Sequence, residues 1–163
     1  MVISYNTIDL LKRKYSGTSS FYFSLFRYSK PLDFASHQKN TDLLKCLILS
    51  DEFIEEYSDF LPINDDRLDQ AVVLNRYEFE GSLISMFLQG TCTDQIVSNE
   101  IEARELTKTL LSDLKVDLDQ LLIFKLENID WSKFTMEATL SCFYIVFYSA
   151  RRCWLILGFD DVY

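Results

Sequence analysis

Glycine, proline and histidine are scarce in this chain. Four glycines stand at positions 17, 81, 90 and 158, two prolines at 31 and 62, and a single histidine at 37, in 163 residues. Glycines so few and so widely spaced cannot form a phosphate-cradling loop, and they exclude collagen-like, linker and low-complexity readings. His37 has no acid at ligand spacing and no Ser-x-Gly elbow beside it, so it reads as a polar loop residue. The cysteines, Cys46, Cys92, Cys142 and Cys153, include no Cys-x-x-Cys pair and no close histidine. That pattern argues against zinc and against a thioredoxin-like site, and the four are expected to be reduced thiols. An Asp-x-Asp-x-Asp-Gly loop for calcium is missing as well. Neither a cofactor nor a metal is expected. The longest apolar run, Cys142–Tyr148, is far shorter than the roughly 20 residues a membrane helix needs. The opening stretch Met1–Asp9 lacks the charged start and continuous apolar core of a signal peptide. The expected address is the cytoplasm, with no membrane partner.

Aromatic side chains are plentiful: 13 Phe and 9 Tyr, within a hydrophobic share of 48%. They predict a bulky core. A chain of this length buries roughly 70% of its unfolded surface and needs no disulfide or metal staple. One domain over residues 1–163 is expected.

Charge is unevenly placed. The chain holds 16 basic and 25 acidic residues, a net charge of −9. Residues 1–50 carry 3 acids and 7 bases, residues 51–102 carry 13 and 2, and residues 103–163 carry 9 and 7. The middle third therefore holds the imbalance. A surface this acidic is a poor match for nucleic acid, whose phosphates require a cationic footprint. It suits a basic protein partner.

Periodicity separates the chain into helical and extended parts. Ile8, Leu10, Leu11 and Tyr15 predict a short helix capped by Asn6 or Thr7. Phe21–Phe26 reads as a strand. Leu43, Leu44, Leu47 and Ile48 predict a helix capped by Asn40 or Thr41. Ser50 or Asp51 opens another, with Phe53, Ile54, Tyr57, Phe60 and Leu61 on one face and Asp51, Glu52, Glu55, Glu56 and Asp59 opposite. Asn64-Asp-Asp66 opens a longer helix to about Leu88, with Gly81 a place for another backbone to come close and Gly90 the stop. The rival reading of that stretch has strands near Tyr77–Glu80 and Leu83–Leu88. A helix from Ser98 places Ala103, Leu106, Leu110 and Leu114 on one face. Beyond Val116 the period changes to two: Leu121–Leu126 and Ala138–Tyr148 read as strands, the second apolar on both faces. A turn at Ser149–Arg152 leads into a third at Cys153–Leu157. With the turn centred on Ala150 and Arg151, Tyr148 would face Cys153, and Cys142 would lie near Phe159, too far from Cys153 for a disulfide. Helices followed by strands define an α+β fold, with N-terminal and middle helices packed on one face of a mainly antiparallel C-terminal sheet.

Paired carboxylates are common, but acids on the outer stripe of a helix diverge into water. Converging acids are what glycoside or metal-dependent hydrolysis needs. No catalytic residue is expected. The candidate binding residues are the acids Asp51, Glu52, Glu55, Glu56, Asp59, Asp65, Asp66 and Asp69, with the basic pair Arg151 and Arg152 at a strand tip.

The stretch Tyr77–Gly90, followed by Glu102–Leu106, Asp130–Phe134 and Trp154–Asp161, resembles small bacterial toxin-immunity proteins, including those of contact-dependent growth inhibition. The likeness runs over residues 70–161. It implies a bacterial protein without catalytic residues that binds and occludes one cognate toxin domain, often a basic nuclease. Interfaces in such proteins diversify, so no residue role transfers position by position. A phage-type inhibitor that mimics nucleic acid is the alternative expectation, and an enzyme without a recognisable motif is a third.

Overall fold

The structure is a computed structural model that describes residues 6–15, 19–27, 40–56, 68–90, 95–127, 138–148 and 152–162. Five strands make one antiparallel sheet: β1 (Ser19–Arg27), β2 (Val72–Leu74), β3 (Leu121–Glu127), β4 (Ala138–Tyr148) and β5 (Cys153–Val162). Their order across the sheet is β1-β5-β4-β3-β2. With the helices α1 (Asn6–Lys14), α2 (Asn40–Ile48), α3 (Asp51–Glu56), α4 (Arg76–Gln89) and α5 (Glu100–Leu114), the fold is α+β, as expected from the change of period.

Helices cover both faces of the sheet, where one covered face was expected. The cause lies in β4 and β5, where every residue of Cys142–Phe147 and Cys153–Leu157 is buried. Side chains alternate along a strand, so two apolar faces need two covers. Tyr144, Val146, Leu155, Leu157 and Phe159 pack with Ile8 and Leu11 of α1, Phe79, Leu83 and Phe87 of α4, and Leu110 and Leu114 of α5. Phe143, Ile145, Phe147, Trp154 and Ile156 pack with Leu44, Leu47 and Ile48 of α2, Phe53 of α3, and Leu68. The aromatic residues foreseen for the core fill both layers. Phe159 meets Phe21, Tyr15, Phe87 and Tyr144 at ring-centroid distances of 5.2, 5.7, 5.8 and 6.1 Å. On the other face Trp154 lies 4.5 Å from Phe147.

The β4–β5 hairpin has the expected register: Tyr148 is opposite Cys153, and Cys142 is opposite Phe159. Cys46, Cys142 and Cys153 stand as thiols, and Cys92 lies outside the described residues. Phe143 is opposite Gly158, where a methyl group would come 2.4 Å from the Phe143 ring. Glycine thus leaves room for that ring to lie across the strand.

Three local expectations change. The long helix expected from Asn64–Asp66, which lie outside the described residues, to about Leu88 is interrupted: Leu68 is helical, but Val72–Leu74 form β2 and a separate helix, α4, begins at Arg76. Its cap Asn75 accepts from the amides of Tyr77 and Glu78, while Glu78 accepts from the Asn75 amide. The β-branched pair Val72 and Val73 just before it is drawn into a strand against Phe124 and Lys125. The rival strands at Tyr77–Glu80 and Leu83–Leu88 are likewise replaced by α4. Gly81 sits exposed on α4, and a methyl group added there would meet nothing within 4 Å, so no backbone comes close. On α5 the buried line is Ala103, Thr107, Leu110, Leu111 and Leu114, with Leu106 only half-buried. Gly90 does cap α4, with φ 67°.

Candidate functional site

The acids proposed for binding begin at the α2–α3 corner. Ser50 forms the corner: its hydroxyl donates to the Leu47 carbonyl at 2.6 Å and accepts from the Phe53 amide at 3.2 Å. This short helix sinks Phe53 into the core and turns Asp51, Ile54 and Glu55 to solvent. Ile54 was expected beside Phe53 on the buried face, yet it is 54% exposed. Its position is about 100° around the helix from Phe53, and six residues of helix bury only the narrow stripe aimed at the sheet. The neighbouring Leu49 is also exposed, so apolar side chains stand among the carboxylates.

Asp69 belongs to this region through an ion pair of 3.0 Å with Lys45 of α2. Glu52 and Glu56 lie on α3, with only their backbone described. Asp59, Asp65, Asp66 and Arg151 lie outside the described residues, as do Tyr57, Phe60 and Leu61. Arg152 is exposed at the hairpin tip with a left-handed φ of 47°, at the opposite end of β5 from Phe159. Across the β1–β5 ladder Arg27 is opposite Cys153, so it shares that tip. Sequence reading missed Arg27 because only strand pairing brings it there.

One polar cluster lies inside. Ser82 of α4 and the Tyr144 hydroxyl are 2.6 Å apart, and Cys142 is two residues along the same face of β4. Burial pushes the Cys142 thiol up to about 11, only partly offset by its hydrogen bond with Tyr144. Burial also raises Tyr144. A nucleophilic cysteine needs its thiolate near neutral pH, and this environment works against it. The cluster fastens α4 to the sheet.

A second surface lies where β2 meets α4. Val72, Val73 and Tyr77 are exposed there. Arg76 pairs with Asp119 at 3.0 Å and sets its guanidinium 4.9 Å from the Tyr77 ring centre. The hydrogen bond to Asp119, followed by that carboxylate's charge, raises the Arg76 pKa. The sequence did carry a signal for this surface, the β-branched pair, but helical spacing masked it.

Among the described residues no group of three or more His, Cys, Asp or Glu side chains is placed to hold a metal ion. No described helix is long and apolar enough to cross a membrane.

This five-stranded antiparallel sheet with helices on both faces is a fold found in solved structures. Two crystal structures of citrus MAF1 share it. One, in space group C 2 2 21, matches with a TM-score of 0.53 and 16% identity, over 96% of this chain and 98% of that one. The other, in space group P 31 2 1, matches with a TM-score of 0.50 and 14% identity, over 95% and 98%. At such identities the likeness is one of fold. No family model matches the chain, and no curated protein matches it.

Proposed function

We propose that this chain is a MAF1-like binding protein, without catalysis of its own, that attaches to a basic protein partner through the acidic α2–α3 corner. The fold likeness to citrus MAF1, which runs nearly end to end in both chains, supports the MAF1-like architecture of that reading. The single observation behind the binding mode is the solvent face of α3, where Ile54 is exposed between Asp51 and Glu55. With Leu49 exposed beside it, Ile54 offers an apolar contact that a partner can cover. Carboxylates around such a contact would steer a basic partner and fix its orientation.

Neutralisation of a basic toxin domain is the second reading. It is supported by the sequence resemblance over residues 70–161. Much of that resemblance falls on Phe79, Leu83, Phe87, Trp154, Leu155, Ile156 and Leu157, all of them core residues. Large apolar groups at those positions serve packing in any protein of this fold, so these positions say little about the partner.

The test is affinity purification of the tagged protein from its own cells, comparing wild type with the double variant Asp51→Lys, Glu55→Lys. A stoichiometric basic protein retained by wild type and lost from the variant is the expected result. A partner that kills cells when produced alone would favour the toxin reading. Retention of the same partner by both proteins would remove the α2–α3 corner from the interface.

A further inference from the structure

The outer edge of β2 holds a concentration of exposed apolar surface. Val72, Val73 and Tyr77 are 56%, 40% and 72% exposed, and they fall within six residues. β2 is the terminal strand of the sheet on this side, so among the described residues its second edge has no ladder partner. Proteins usually blunt an open edge with a very short strand, lysine, proline or a bulge, because unpaired amides and carbonyls there recruit another strand, and β2, at three residues, is short. Here the edge carries two β-branched apolar residues in place of lysine or proline. Leu74 faces the core under α4, so by alternation Val72 lies on that face and Val73 on the opposite one. An added strand would therefore find an apolar side chain on each face. Tyr77 stands beside it at the first turn of α4, its ring held by the Arg76 guanidinium. With only two side-chain torsions, a tyrosine loses little freedom on binding.

The surrounding charge selects the kind of strand. Glu78, Glu80, Asp117, Asp119 and Glu127 lie on the flanks of β2 and the adjoining β3 segment, against the cations Arg76 and Lys125. Both cations are already matched, Arg76 with Asp119 and Lys125 with Glu127. The remaining carboxylates have the sign to attract lysine or arginine.

We infer that the β2 edge docks an extended basic segment of a partner protein by strand addition, with Val72, Val73 and Tyr77 contacting its apolar side chains. The inference rests on the proposal of a basic partner and locates a second contact with it, separate from the α2–α3 corner.

The test is an NMR titration of the ¹⁵N-labelled full chain with three synthetic peptides. The first alternates Lys and Val over eight residues, the second alternates Glu and Val, and the third is the Lys–Val peptide with every second amide N-methylated. The Lys–Val peptide should shift the amides of Val72, Val73 and Leu74 and slow their hydrogen exchange. The Glu–Val peptide and the N-methylated peptide should bind at least tenfold more weakly. Tyr77→Ala and Val72→Lys should each weaken the Lys–Val peptide severalfold with the remaining spectrum unchanged. Shifts confined to Asp51–Glu56 would overturn strand addition and leave the basic-partner proposal standing. No response to either lysine peptide would overturn both. Peptide-independent shifts at Val72–Leu74 that grow with protein concentration would assign the edge to a second copy of this chain and overturn the inference.

Discussion

Gly158 and Phe143 show how one hydrogen atom's worth of space can set a strand pair. A methyl group at Gly158 would lie 2.4 Å from one ring carbon of Phe143 and 2.9 Å from two others. The ring is buried and belongs to the packed layer under α2, so moving it disturbs that layer. Gly158→Ala is therefore expected to destabilise the fold by about 1–3 kcal/mol, the usual cost of overpacking. A urea midpoint unchanged from wild type would contradict this. Cys142 and Tyr144 carry a different prediction. Burial raises the thiol from 9.0 to about 11 and raises the phenol in the same direction. Between those values the folded chain holds a proton that the unfolded chain has released. Stability is thus fully present below about pH 9 and falls as the pH rises through 9 towards 11. For the thiol the loss is on the order of 2 kcal/mol. Denaturant midpoints at about pH 8 and about pH 10.5 should differ more for wild type than for Cys142→Ala. Equal differences would assign the alkaline loss to other groups.

At the scale of elements, α4 shows why helix boundaries escape a reading of apolar spacing. Leu68, Val72, Asn75 and Phe79 keep a helical interval, but a strand occupies Val72–Leu74. The decision came from two forces, the long-range pairing with β3 and the local reciprocal cap between Asn75 and Glu78. Only the second could be read from neighbouring residues. Gly81 lies past that cap on the solvent side of the helix, with open space around its missing side chain. Gly81→Ala should stabilise the protein by about 0.5–1 kcal/mol, through helix propensity and a less free unfolded chain. Thermal unfolding checks it, and a lower midpoint would reveal an approach to this residue that the present geometry excludes.

At the scale of the molecule, charge decides how the protein meets others. The net charge of −9 is carried by residues 51–102, and α3 turns two of those acids and an isoleucine to solvent. For the partner captured by wild type, the association rate should fall steeply as ionic strength rises. Asp51→Lys with Glu55→Lys should slow association by about tenfold or more at low salt and flatten that dependence. Dissociation should change less, because rim charges act mainly on encounter. Stopped-flow or surface-based kinetics at two salt concentrations would measure this, and unchanged association would place the steering charges elsewhere. The fold should tolerate both substitutions, since neither side chain enters the core.

The α+β class, the strands from Leu121 onward and the Cys142–Phe159 register were all legible in the residues. Alternation, turn chemistry and burial on both sides of a strand are local properties that the chain order records. The acidic bias of the middle third was legible in the same way, because net charge does not depend on conformation. Tertiary structure alone decided the rest. It divided the helices between two faces, because the number of layers depends on which segments reach which side of the sheet. It exposed Ile54, since a helix of six residues buries only what its neighbours cover. It brought Arg27 to the tip that carries Arg152, and it left Val72 and Val73 on an open edge, because strand order across a sheet is set by pairings between residues distant in the chain.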